Sequence, residues 1–480
     1  MTTFDLCVVG AGPGGLSAAV RAAQRGLKVG LVDPGPLGGT CLNRGCIPAR
    51  TFGTTARLAA QLRRSKNFGI ELEGGFRIDV AAVLARKERI LRRLRTGLQG
   101  LLKQNGVTWF QGEAILQDVA EIEVRQPGSP AQGLKARALI LASGSRPGTL
   151  PGCPVDGKRV VTSDELLDLE FVPESLAVVG AGVIGCEFAS YYADLASSVT
   201  LIEAAAQVLP AEDARISEAF THSLKRRGVV ILTGAKVSGI TRQADGKAAI
   251  ALSDGRSVAA QVVLMAMGRV PRIPQGAAEL GLKFENGGLQ VDAMLRTCVP
   301  SIFVIGDLLK GYQLAATASY EGMIAAENVA GGRSGFASSS ESHVAGDTRQ
   351  VDYAVVPDAI YTEPEIASVG LTEAEAKAEG KAVRVSRLNL IGLARAHTLE
   401  EPEGFVQVVA DSSDGRILGV QIIGARATDL IGEAAVAIKH GLTLKDLAET
   451  IHGHPTMSES LWEAASMALG QSIYYASRSS

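Results

Sequence analysis

The chain has 480 residues, 46% of them hydrophobic and 20% charged, and its net charge is −2. This is the balance of an ordinary globular protein, and the length predicts roughly two to four domains. The near-neutral charge argues against a nucleic acid or an anionic membrane as a partner, and no apolar run is long enough to span a bilayer. A strand pattern begins by Phe4, which leaves no room for a signal or transit peptide, so we expect a cytoplasmic protein.

A strand, a glycine turn, a helix and a second strand occur together twice along the chain. The two copies are FDLCVVGAGPGG (4–15), a helix at about 15–26 and KVGLVD (28–33), then LAVVGAGVIGCE (176–187), a helix at about 185–195 and SVTLIE (198–203). The repeat predicts two Rossmann-like dinucleotide-binding domains in one chain.

The glycines of both turns have the GxGxxG spacing of dinucleotide sites. They are Gly10, Gly12 and Gly15, and then Gly180, Gly182 and Gly185. Such a turn lets the backbone approach a pyrophosphate and directs the N–H groups of a helix N-terminus at it. Each second strand ends in an acid that we expect to bond a ribose hydroxyl, Asp33 in the first copy and Glu203 in the second.

Glu203 also indicates which nicotinamide cofactor is bound. A carboxylate favours a free ribose 2′-hydroxyl over a 2′-phosphate, and the residues that follow, AAAQVLP, contain no arginine. We therefore predict NAD rather than NADP. Two dinucleotide sites in one chain indicate one cofactor held tightly and one exchanged as substrate, and the usual pair is FAD with NAD.

Cys41 and Cys46 are spaced five apart in CLNRGC, shortly after the strand that ends in Asp33. Spacing alone allows a structural staple, half of a metal site or a redox pair. Zinc sites commonly use closer pairs with further ligands nearby, so we favour a thiol–disulfide pair that works beside a flavin. Six cysteines in 480 residues are no secreted disulfide framework, and we expect the others to be buried small hydrophobes: Cys7, Cys153, Cys186 and Cys298.

A candidate base lies near the C-terminus, in TIHGHPTMSE at 450–459. His454 precedes a proline, and Glu459 follows five residues later. A glutamate that holds one imidazole nitrogen aims the other, so we interpret His454 as a general acid–base for an incoming thiol. The alternative is a loop histidine before a helix with Glu459 in its first turn, and His452 could equally be a histidine at a helix entry.

Further elements complete the pattern. A helix is expected at 81–104, with its charges on a solvated face. Buried strands are expected in ALILASGSRP (138–147), VVLMAMGRVP (262–271) and SIFVIGD (301–307), the last returning to the first domain. The Gly- and Ser-rich stretch 331–348 is interpreted as a linker or loop.

After this stretch, strands and helices alternate in a third, α+β lobe. The expected strands lie in 354–362, 403–411 and 417–424, and the expected helices are 372–380, 427–440, 443–451 and 458–470.

Eight motifs, in this order along the chain, resemble those of the pyridine nucleotide–disulfide oxidoreductases: GAGPGG, GGTCLNRGCIP, ASGSRP, GAGVIGCEFA, AMGRVP, FVIGD, YTEPEIASVG and HGHPTMSE. The resemblance runs from residue 4 to 470 and is very specific. It implies an α/β protein with two Rossmann-like dinucleotide-binding domains plus an α+β C-terminal dimerisation domain. The expected boundaries are 1–148 and 269–332 for FAD binding, 149–268 for NAD binding, 333–349 for a linker and 350–480 for the interface domain.

The resemblance also implies roles for individual residues. Cys41 would exchange with the substrate dithiol, and Cys46 would be the thiolate beside the flavin. His454, held by Glu459, would act across the interface of a homodimer. FAD would be bound by Gly10, Gly12, Gly15, Asp33, Gly39, Thr40, Arg50, Ala114, Ser143, Gly144, Asp307 and Ala315. NAD would be bound by Gly180, Gly182, Ile184, Gly185, Glu187, Glu203, Val237 and Gly268, and no metal is expected.

The chain departs from the family pattern at two places. The family usually has CIPSK where this chain has CIPAR, so Arg50 replaces a lysine that pairs with a glutamate, here Glu187. We expect Arg50 to pair with Glu187, although its planar guanidinium differs from an ammonium group and could shift the redox potential. Ala316 stands where many members have a histidine. Arg44, between the cysteines, either lowers the pKa of a neighbouring thiol or is an exposed helix residue.

The implied activity is oxidation of a protein-bound dihydrolipoyl group by NAD+, with FAD, through a cycling disulfide of Cys41 and Cys46. The expected partner is the lipoyl domain of a 2-oxo acid dehydrogenase E2 component or a glycine-cleavage H protein. Two alternatives stay open. One is an NAD(P)H-dependent reductase of another disulfide, a quinone or a metal ion, and the other is a non-catalytic flavoprotein that serves as a scaffold or sensor.

Overall fold

The computed structural model describes residues 1–243, 246–331 and 349–475. The chain divides into two compact units. The first unit comprises Met1–Thr51, Ala81–Gly148 and Arg269–Asp352, and the second comprises Phe52–Val80, Thr149–Gly268 and Tyr353–Ser480. Apart from Arg349, the predicted linker at 333–349 lies outside the described residues, and the predicted domain boundaries stay predictions.

The helices and strands follow one another in chain order. Residues 1–148 contain β1 (Thr2–Val9), α1 (Pro13–Gln24), β2 (Val29–Asp33), α2 (Gly39–Arg44), α3 (Cys46–Arg63), α4 (Val80–Gln104), β3 (Thr108–Gln111), β4 (Glu113–Asp118), β5 (Glu121–Arg125), β6 (Gln132–Leu141) and β7 (Ser145–Pro147). Residues 149–268 contain β8 (Val160–Val161), α5 (Ser163–Leu166), β9 (Ser175–Val179), α6 (Val183–Asp194), β10 (Ser198–Ile202), α7 (Ala214–Arg226), β11 (Val230–Leu232), β12 (Val237–Arg242), β13 (Ala248–Leu252), β14 (Ser257–Ala260) and β15 (Val262–Met265).

The remaining elements lie after residue 268. Before residue 332 they are β16 (Arg269–Pro271), β17 (Phe284–Glu285), β18 (Gly288–Leu289), β19 (Ile302–Val304) and α8 (Ala315–Gly331). After residue 348 they are β20 (Asp358–Ile360), β21 (Ile366–Gly370), α9 (Glu373–Ala378), β22 (Val383–Asn389), α10 (Ala394–Thr398), β23 (Phe405–Asp411), β24 (Ile417–Ile423), α11 (Ala427–Lys439), α12 (Leu444–Glu449) and α13 (Glu459–Ala468). Short 3₁₀ helices lie at Ser65–Phe68, Gly306–Leu309 and Leu390–Gly392.

The first unit is built on a sheet with the strand order β3-β2-β1-β6-β5-β4, and β19 pairs with β6. Strands β3, β2, β1, β6 and β19 are parallel to their neighbours, whereas β5 and β4 add an antiparallel edge. The pairing of β19 with β6, in which Ile302 lies opposite Leu139, confirms that the strand in 301–307 returns to this sheet.

The first sheet is buried on both faces. Leu6 and Val8 of β1 belong to one hydrophobic core, whereas the alternating residues Cys7 and Val9 belong to another. Side chains alternate between the faces of a strand, so a continuous apolar run such as LCVV fits a parallel sheet that is covered on both sides.

Two glycines allow α1 and α8 to pack backbone against backbone in this unit. A Cβ on Gly322 would lie 2.3 Å from the oxygen of Gly14, and a Cβ on Gly14 would lie 2.9 Å from the oxygen of Ala318. Because α1 begins directly after the glycine turn, α8 fixes the position of that turn.

Three sheets lie in the described part of the second unit. The first is parallel, with the order β11-β10-β9-β15-β8, and β12-β13-β14 form an antiparallel sheet after it. The C-terminal sheet is antiparallel, with the order β20-β21-β24-β23-β22. Ile431 of α11 and Leu461 of α13 share one core with Val408 of this sheet.

The structure confirms both copies of the strand–turn–helix–strand unit, in which β1 is parallel to β2 and β9 is parallel to β10. The predicted helices begin and end within about two residues of the observed ones, which is the ordinary uncertainty of helix ends. No helix among the described residues combines the length and the apolar character that a membrane crossing needs.

The strand expected in 354–362 is present but short: it covers Asp358–Ile360, because Pro357 lacks the N–H group that a strand ladder needs. Two other expectations were wrong. Cys298 is exposed rather than buried, since it lies in the loop before β19 with its Sγ 3.3 Å from the oxygen of Gly281. Lys87 of α4 is buried, although its helix carries a charged face.

Candidate active site

The two glycine turns have nearly the same geometry. Gly10 has φ 110° and Gly180 has φ 101°, a region that side chains disfavour. The helices that follow begin after Gly12, with φ −74° and ψ −177°, and Gly182, with φ −73° and ψ −174°. The two turns are therefore geometric copies, each with a helix N-terminus directly behind it, as a pyrophosphate site requires.

The acid at the end of each second strand is bonded to its glycine turn. Asp33 and Glu203 each accept one N–H bond of 2.6 Å from the residue after the first turn glycine and one of 2.7 Å from the residue two positions after the acid. Burial raises the pKa of Asp33, although the two N–H groups and Arg272 oppose the rise. A carboxylate oxygen has two lone pairs, so each acid retains acceptor capacity for a ribose hydroxyl.

The first glycine turn meets a second stretch of backbone at Gly39. A Cβ on Gly39 would lie 2.6 Å from the Cα of Gly12, and Thr40 follows Gly39 in the first turn of α2. The cradle between these backbones would be filled by a single Cβ. It fits a group that needs close backbone approach, such as the pyrophosphate of FAD.

Asp307 lies in a polar network of the same unit. The hydroxyl of Ser145 donates to Asp307, and Arg269 donates to Ser145 through Nε at 2.7 Å and to the Ser145 carbonyl through Nη2 at 3.0 Å. The Nε of Arg269 also lies 3.8 Å from Asp307. The network fixes the Asp307 carboxylate at the carboxyl end of β19.

The other predicted FAD residues are spread over three segments of this unit. Ser143 donates to the carbonyl of Arg272 at 2.6 Å, and the carbonyl of Gly144 accepts from the Arg272 N–H at 2.8 Å. Ala114 is buried in β4, and Ala315 is the first residue of α8. The cofactor-binding roles of all four residues stay predictions.

The predicted NAD residues lie in the second unit. Ile184 and Gly185 are in the first turn of α6, Val237 begins β12 and Gly268 precedes β16. Glu187 is buried and accepts the N–H of Tyr361 at 2.9 Å.

The expected pairing of Arg50 with Glu187 stays a prediction. Arg50 belongs to the first unit and Glu187 to the second.

The two cysteines of CLNRGC lie at a junction between helices and share a side-chain hydrogen bond. Cys41 lies in α2 and Cys46 is the first residue of the 18-residue helix α3. The side-chain hydrogen bond with Cys46 and burial raise the pKa of Cys41, while the charge of Arg50 opposes the rise. The positive end of the α3 dipole favours negative charge at Cys46. Arg44 is exposed in α2, one of its two expected states.

Asn43 holds the cysteine segment in place. Its Nδ2 lies 3.2, 3.1 and 2.8 Å from the carbonyl oxygens of Pro36, Leu37 and Gly39, and its Oδ1 accepts from Nε of Arg95 at 2.6 Å. The sequence did not single out Asn43 or Arg95. The only available signal was the asparagine inside CLNRGC, because its partners are distant along the chain.

His454 and Glu459 form the oriented pair that the sequence predicted. Nδ1 of His454 lies 2.8 Å from Oε1 of Glu459, and Oε2 of Glu459 accepts the N–H of Thr456 at 2.8 Å. Glu459 begins α13, and the His454 side chain is 64% exposed. The carboxylate thus fixes both the imidazole and its loop, which leaves Nε2 to exchange a proton with a substrate.

His452 lies in the same loop between α12 and α13 rather than at a helix entry. Its Nε2 lies 2.8 Å from Glu433 and its Nδ1 lies 2.8 Å from the carbonyl of Thr450, with the side chain only 6% exposed. Both ring nitrogens face acceptors, so His452 anchors the loop that carries His454.

No group of three or more His, Cys, Asp or Glu side chains in the described ranges is arranged to hold a metal ion.

Two family comparisons cover most of the chain. Residues 4–322 match the pyridine nucleotide-disulphide oxidoreductase family, and residues 356–465 match the dimerisation domain of that family. The chain belongs to the pyridine nucleotide-disulphide oxidoreductases, which confirms the resemblance and the fold class predicted from the sequence.

Curated relatives with full-length similarity share one name. A protein named dihydrolipoyl dehydrogenase from Geobacillus stearothermophilus is 39% identical to this chain, and the match covers 98% of this chain and 97% of the relative. A protein of the same name from Chlamydia muridarum is 37% identical, and the match covers 98% of each chain. A Bacillus subtilis protein of that name is 38% identical, with coverage of 99% of this chain and 100% of its own.

Solved structures agree in fold. LpdA from Mycobacterium tuberculosis matches with a TM-score of 0.87 and 29% identity, covering 97% of this chain and 99% of its own. A second match is the HOCl-induced flavoprotein disulfide reductase RclA from Escherichia coli, solved as a Cu(II) complex. Its TM-score is 0.86 at 25% identity, and the match covers 97% of this chain and 100% of RclA.

Proposed function

We propose that the chain is a dihydrolipoyl dehydrogenase, which oxidises a protein-bound dihydrolipoyl group with NAD+ through a disulfide that cycles between Cys41 and Cys46. The observation that carries this is the 37–39% identity, over nearly the whole chain, to relatives with that name. The cysteine pair and the oriented pair of His454 and Glu459 supply the chemical groups that the reaction needs.

The chain's own residues account for the thiol–disulfide exchange. Nε2 of His454 takes a proton from one substrate thiol, and the resulting thiolate attacks the Cys41 sulfur of the disulfide. Cys46 leaves as a thiolate, which the N-terminus of α3 favours. The second substrate thiol then displaces Cys41 and gives its proton to the departing Cys41 sulfur, so the lipoyl group becomes a disulfide and the two cysteines carry the electron pair.

The cofactors belong to the two glycine turns. We place FAD at the first turn, with Asp33 and Asp307, and NAD at the second, with Glu203. Bound FAD supplies the two-electron link between the reduced cysteines and NAD+. The acid at Glu203 supports NAD over NADP, because it would repel a 2′-phosphate.

A homodimer, the partner and the cellular compartment belong to the same proposal. The match of 356–465 to a dimerisation domain supports a homodimer, in which His454 would face the cysteines across the interface. The partner would be the lipoyl domain of a 2-oxo acid dehydrogenase E2 component or a glycine-cleavage H protein, and the compartment would be the cytoplasm.

The main alternative, a reductase of another disulfide, a quinone or a metal ion, is less well supported. A neighbour titled as a flavoprotein disulfide reductase is 25% identical, below the 37–39% of the relatives named dihydrolipoyl dehydrogenase.

A substrate panel tests the proposal. Purified protein with FAD is assayed with NADH and lipoamide, glutathione disulfide, mercuric ion or a quinone, and then with NADPH in place of NADH. We expect kcat/KM for lipoamide to exceed the others by about 10²-fold or more. Lipoamide turnover no faster than the others would overturn the function, and the same panel with Arg50→Lys measures the effect of the family departure.

A further inference from the structure

Helix α4 carries an unusual concentration of positive charge. Its 25 residues contain seven basic side chains and one acidic one, a net charge of +6 in a chain whose total is −2. The basic residues are Arg86, Lys87, Arg89, Arg92, Arg93, Arg95 and Lys103.

The helix is attached directly to the segment that bears the cysteines. Arg95 donates to Asn43 of CLNRGC at 2.6 Å, and Nη1 of Arg86 donates to the carbonyl of Thr51 in α3 at 3.1 Å. Two of the seven basic side chains therefore fix α4 to α2 and to α3, the helix that begins at Cys46.

Three other arginines form one exposed face. Arg89, Arg92 and Arg93 are all exposed and are spaced i, i+3 and i+4, so they lie on the same side of the helix. They cover about 6 Å of helix axis. A convex row of this kind suits a charged surface better than a small ligand, which binds in concave sites.

We propose that Arg89, Arg92 and Arg93 form a docking face for an acidic protein surface, which guides a protein-borne dithiol to Cys41. The inference rests on the proposed function and adds to it the charge of the partner and the place where it docks. The arginines present a rigid fork that matches surface carboxylates. The remainder of the chain is acidic on balance and the sequence pI is about 6.4, which does not suit a nucleic-acid binder.

Kinetics with two forms of one substrate test this. The wild type and an Arg89→Gln, Arg92→Gln, Arg93→Gln variant are compared with free dihydrolipoamide and with a reduced, recombinant lipoyl domain of net negative charge. At low ionic strength we expect kcat/KM for the domain to fall about tenfold in the variant, while kcat/KM for free dihydrolipoamide stays unchanged. High salt should remove the difference, because it screens exposed charges.

The matched control removes three exposed charges elsewhere, with Lys66→Gln, Lys225→Gln and Lys283→Gln. It should leave both substrates unaffected. An equal fall in the control, or an unchanged value for the domain in the arginine variant, would overturn the docking face. Absence of turnover with free dihydrolipoamide in the wild type would instead overturn the proposed function.

Two binding measurements cover other occupants of the face. Sedimentation of the arginine variant should show the oligomeric state of the wild type, and a change would make the face a subunit interface. Duplex DNA should bind neither protein at physiological salt, and DNA binding that the arginine variant lacks would make the face a nucleic-acid site. Either result would contradict the proposal.

Discussion

At the scale of residues, the acids at the carboxyl ends of β2 and β10 hold their glycine turns in place. Asp33 and Glu203 each accept one N–H bond of 2.6 Å from the glycine turn and one of 2.7 Å from the residue two positions after the acid. The turn is thereby set before a cofactor arrives, which reduces the ordering cost of binding. Each acid therefore stabilises the local fold and is also the predicted partner of a cofactor ribose.

Glu459 provides the first prediction. Its two oxygens hold His454 and the N–H of Thr456, and a glutamine can replace only one of these acceptors. We expect Glu459→Gln to lower kcat for dihydrolipoamide about 10- to 100-fold, because the imidazole loses its fixed orientation. NADH oxidation with an artificial acceptor should be unaffected, since it needs no thiol deprotonation.

The control for this variant is Glu449→Gln, which removes an exposed carboxylate 3.7 Å from Lys445. It should behave as the wild type in both assays. If Glu459→Gln retained wild-type kcat with an unchanged pH profile, His454 would not depend on Glu459 for its role.

Site residues that occur at fixed intervals within a short motif could be predicted from the sequence. Residues whose role depends on a contact with a distant part of the chain could not. The glycines, both acids, the cysteine pair and the His–Glu pair each occur at fixed intervals within short motifs. Arg95, by contrast, reaches Asn43 from 52 positions further along the chain. No local pattern contains that bond, because it exists only once α4 has packed.

At the scale of elements, glycines allow helices α1 and α8 to pack closely, and this packing positions the first glycine turn. The close approach at Gly14 and Gly322 fixes α1, and the N-terminus of α1 stands behind the first glycine turn. By contrast, a Cβ on Gly97 of α4 would meet nothing within 4 Å. Helical glycines in these two settings should respond oppositely to substitution by alanine.

We predict that Gly322→Ala lowers the free energy of unfolding by about 1–3 kcal/mol, because its Cβ would meet the backbone oxygen of Gly14. Gly97→Ala should raise it by about 0.5–1 kcal/mol, since alanine has the higher helix propensity and no neighbour has to move. Urea unfolding of the protein with FAD bound measures both. Changes of the same sign in both variants would contradict the packing described for α1 and α8.

The elements themselves were largely predictable, because apolar periodicity and glycine turns are local signals. The strand expected in 354–362 is present but shorter than the apolar pattern indicates, because Pro357 limits it to Asp358–Ile360. The burial of Lys87 could not be seen in the sequence, since the helical pattern of α4 does not show which neighbours cover each side chain.

At the scale of the whole molecule, Glu212 and Glu363 of the second unit are carboxyls whose pKa values lie well above the usual range. Burial and the nearby Asp358 raise the pKa of Glu212 to about 7, although Ser368 opposes the rise. Burial, together with Glu401, raises the pKa of Glu363 to about 7 against the effect of Arg57. A carboxyl with a raised pKa binds protons more tightly when folded, so stability is lost as pH rises from the unfolded pKa of 4.5 to about 7.

Glu212→Gln should remove one of these contributions. Compared with the wild type, the variant should be equally stable near about pH 4.5 and more stable by about 1–3 kcal/mol near about pH 8. Urea unfolding at several pH values measures the difference. Glu218→Gln, an exposed carboxyl on α7, is the control and should show no such trend. A difference in stability between Glu212→Gln and the wild type that stays constant from about pH 4.5 to about pH 8 would contradict the raised pKa of Glu212.

In the proposed reaction, electrons from a dihydrolipoyl group enter the protein at Cys41 and Cys46. NADH formation from dihydrolipoamide and NAD+ tests this when it is compared among the wild type, Cys41→Ser and Cys46→Ser, each shown by its visible absorption to retain FAD. We predict rapid formation in the wild type and a loss of about 10³-fold or more in either variant, because one thiol cannot close the disulfide. Undiminished NADH formation in Cys41→Ser or Cys46→Ser would contradict it.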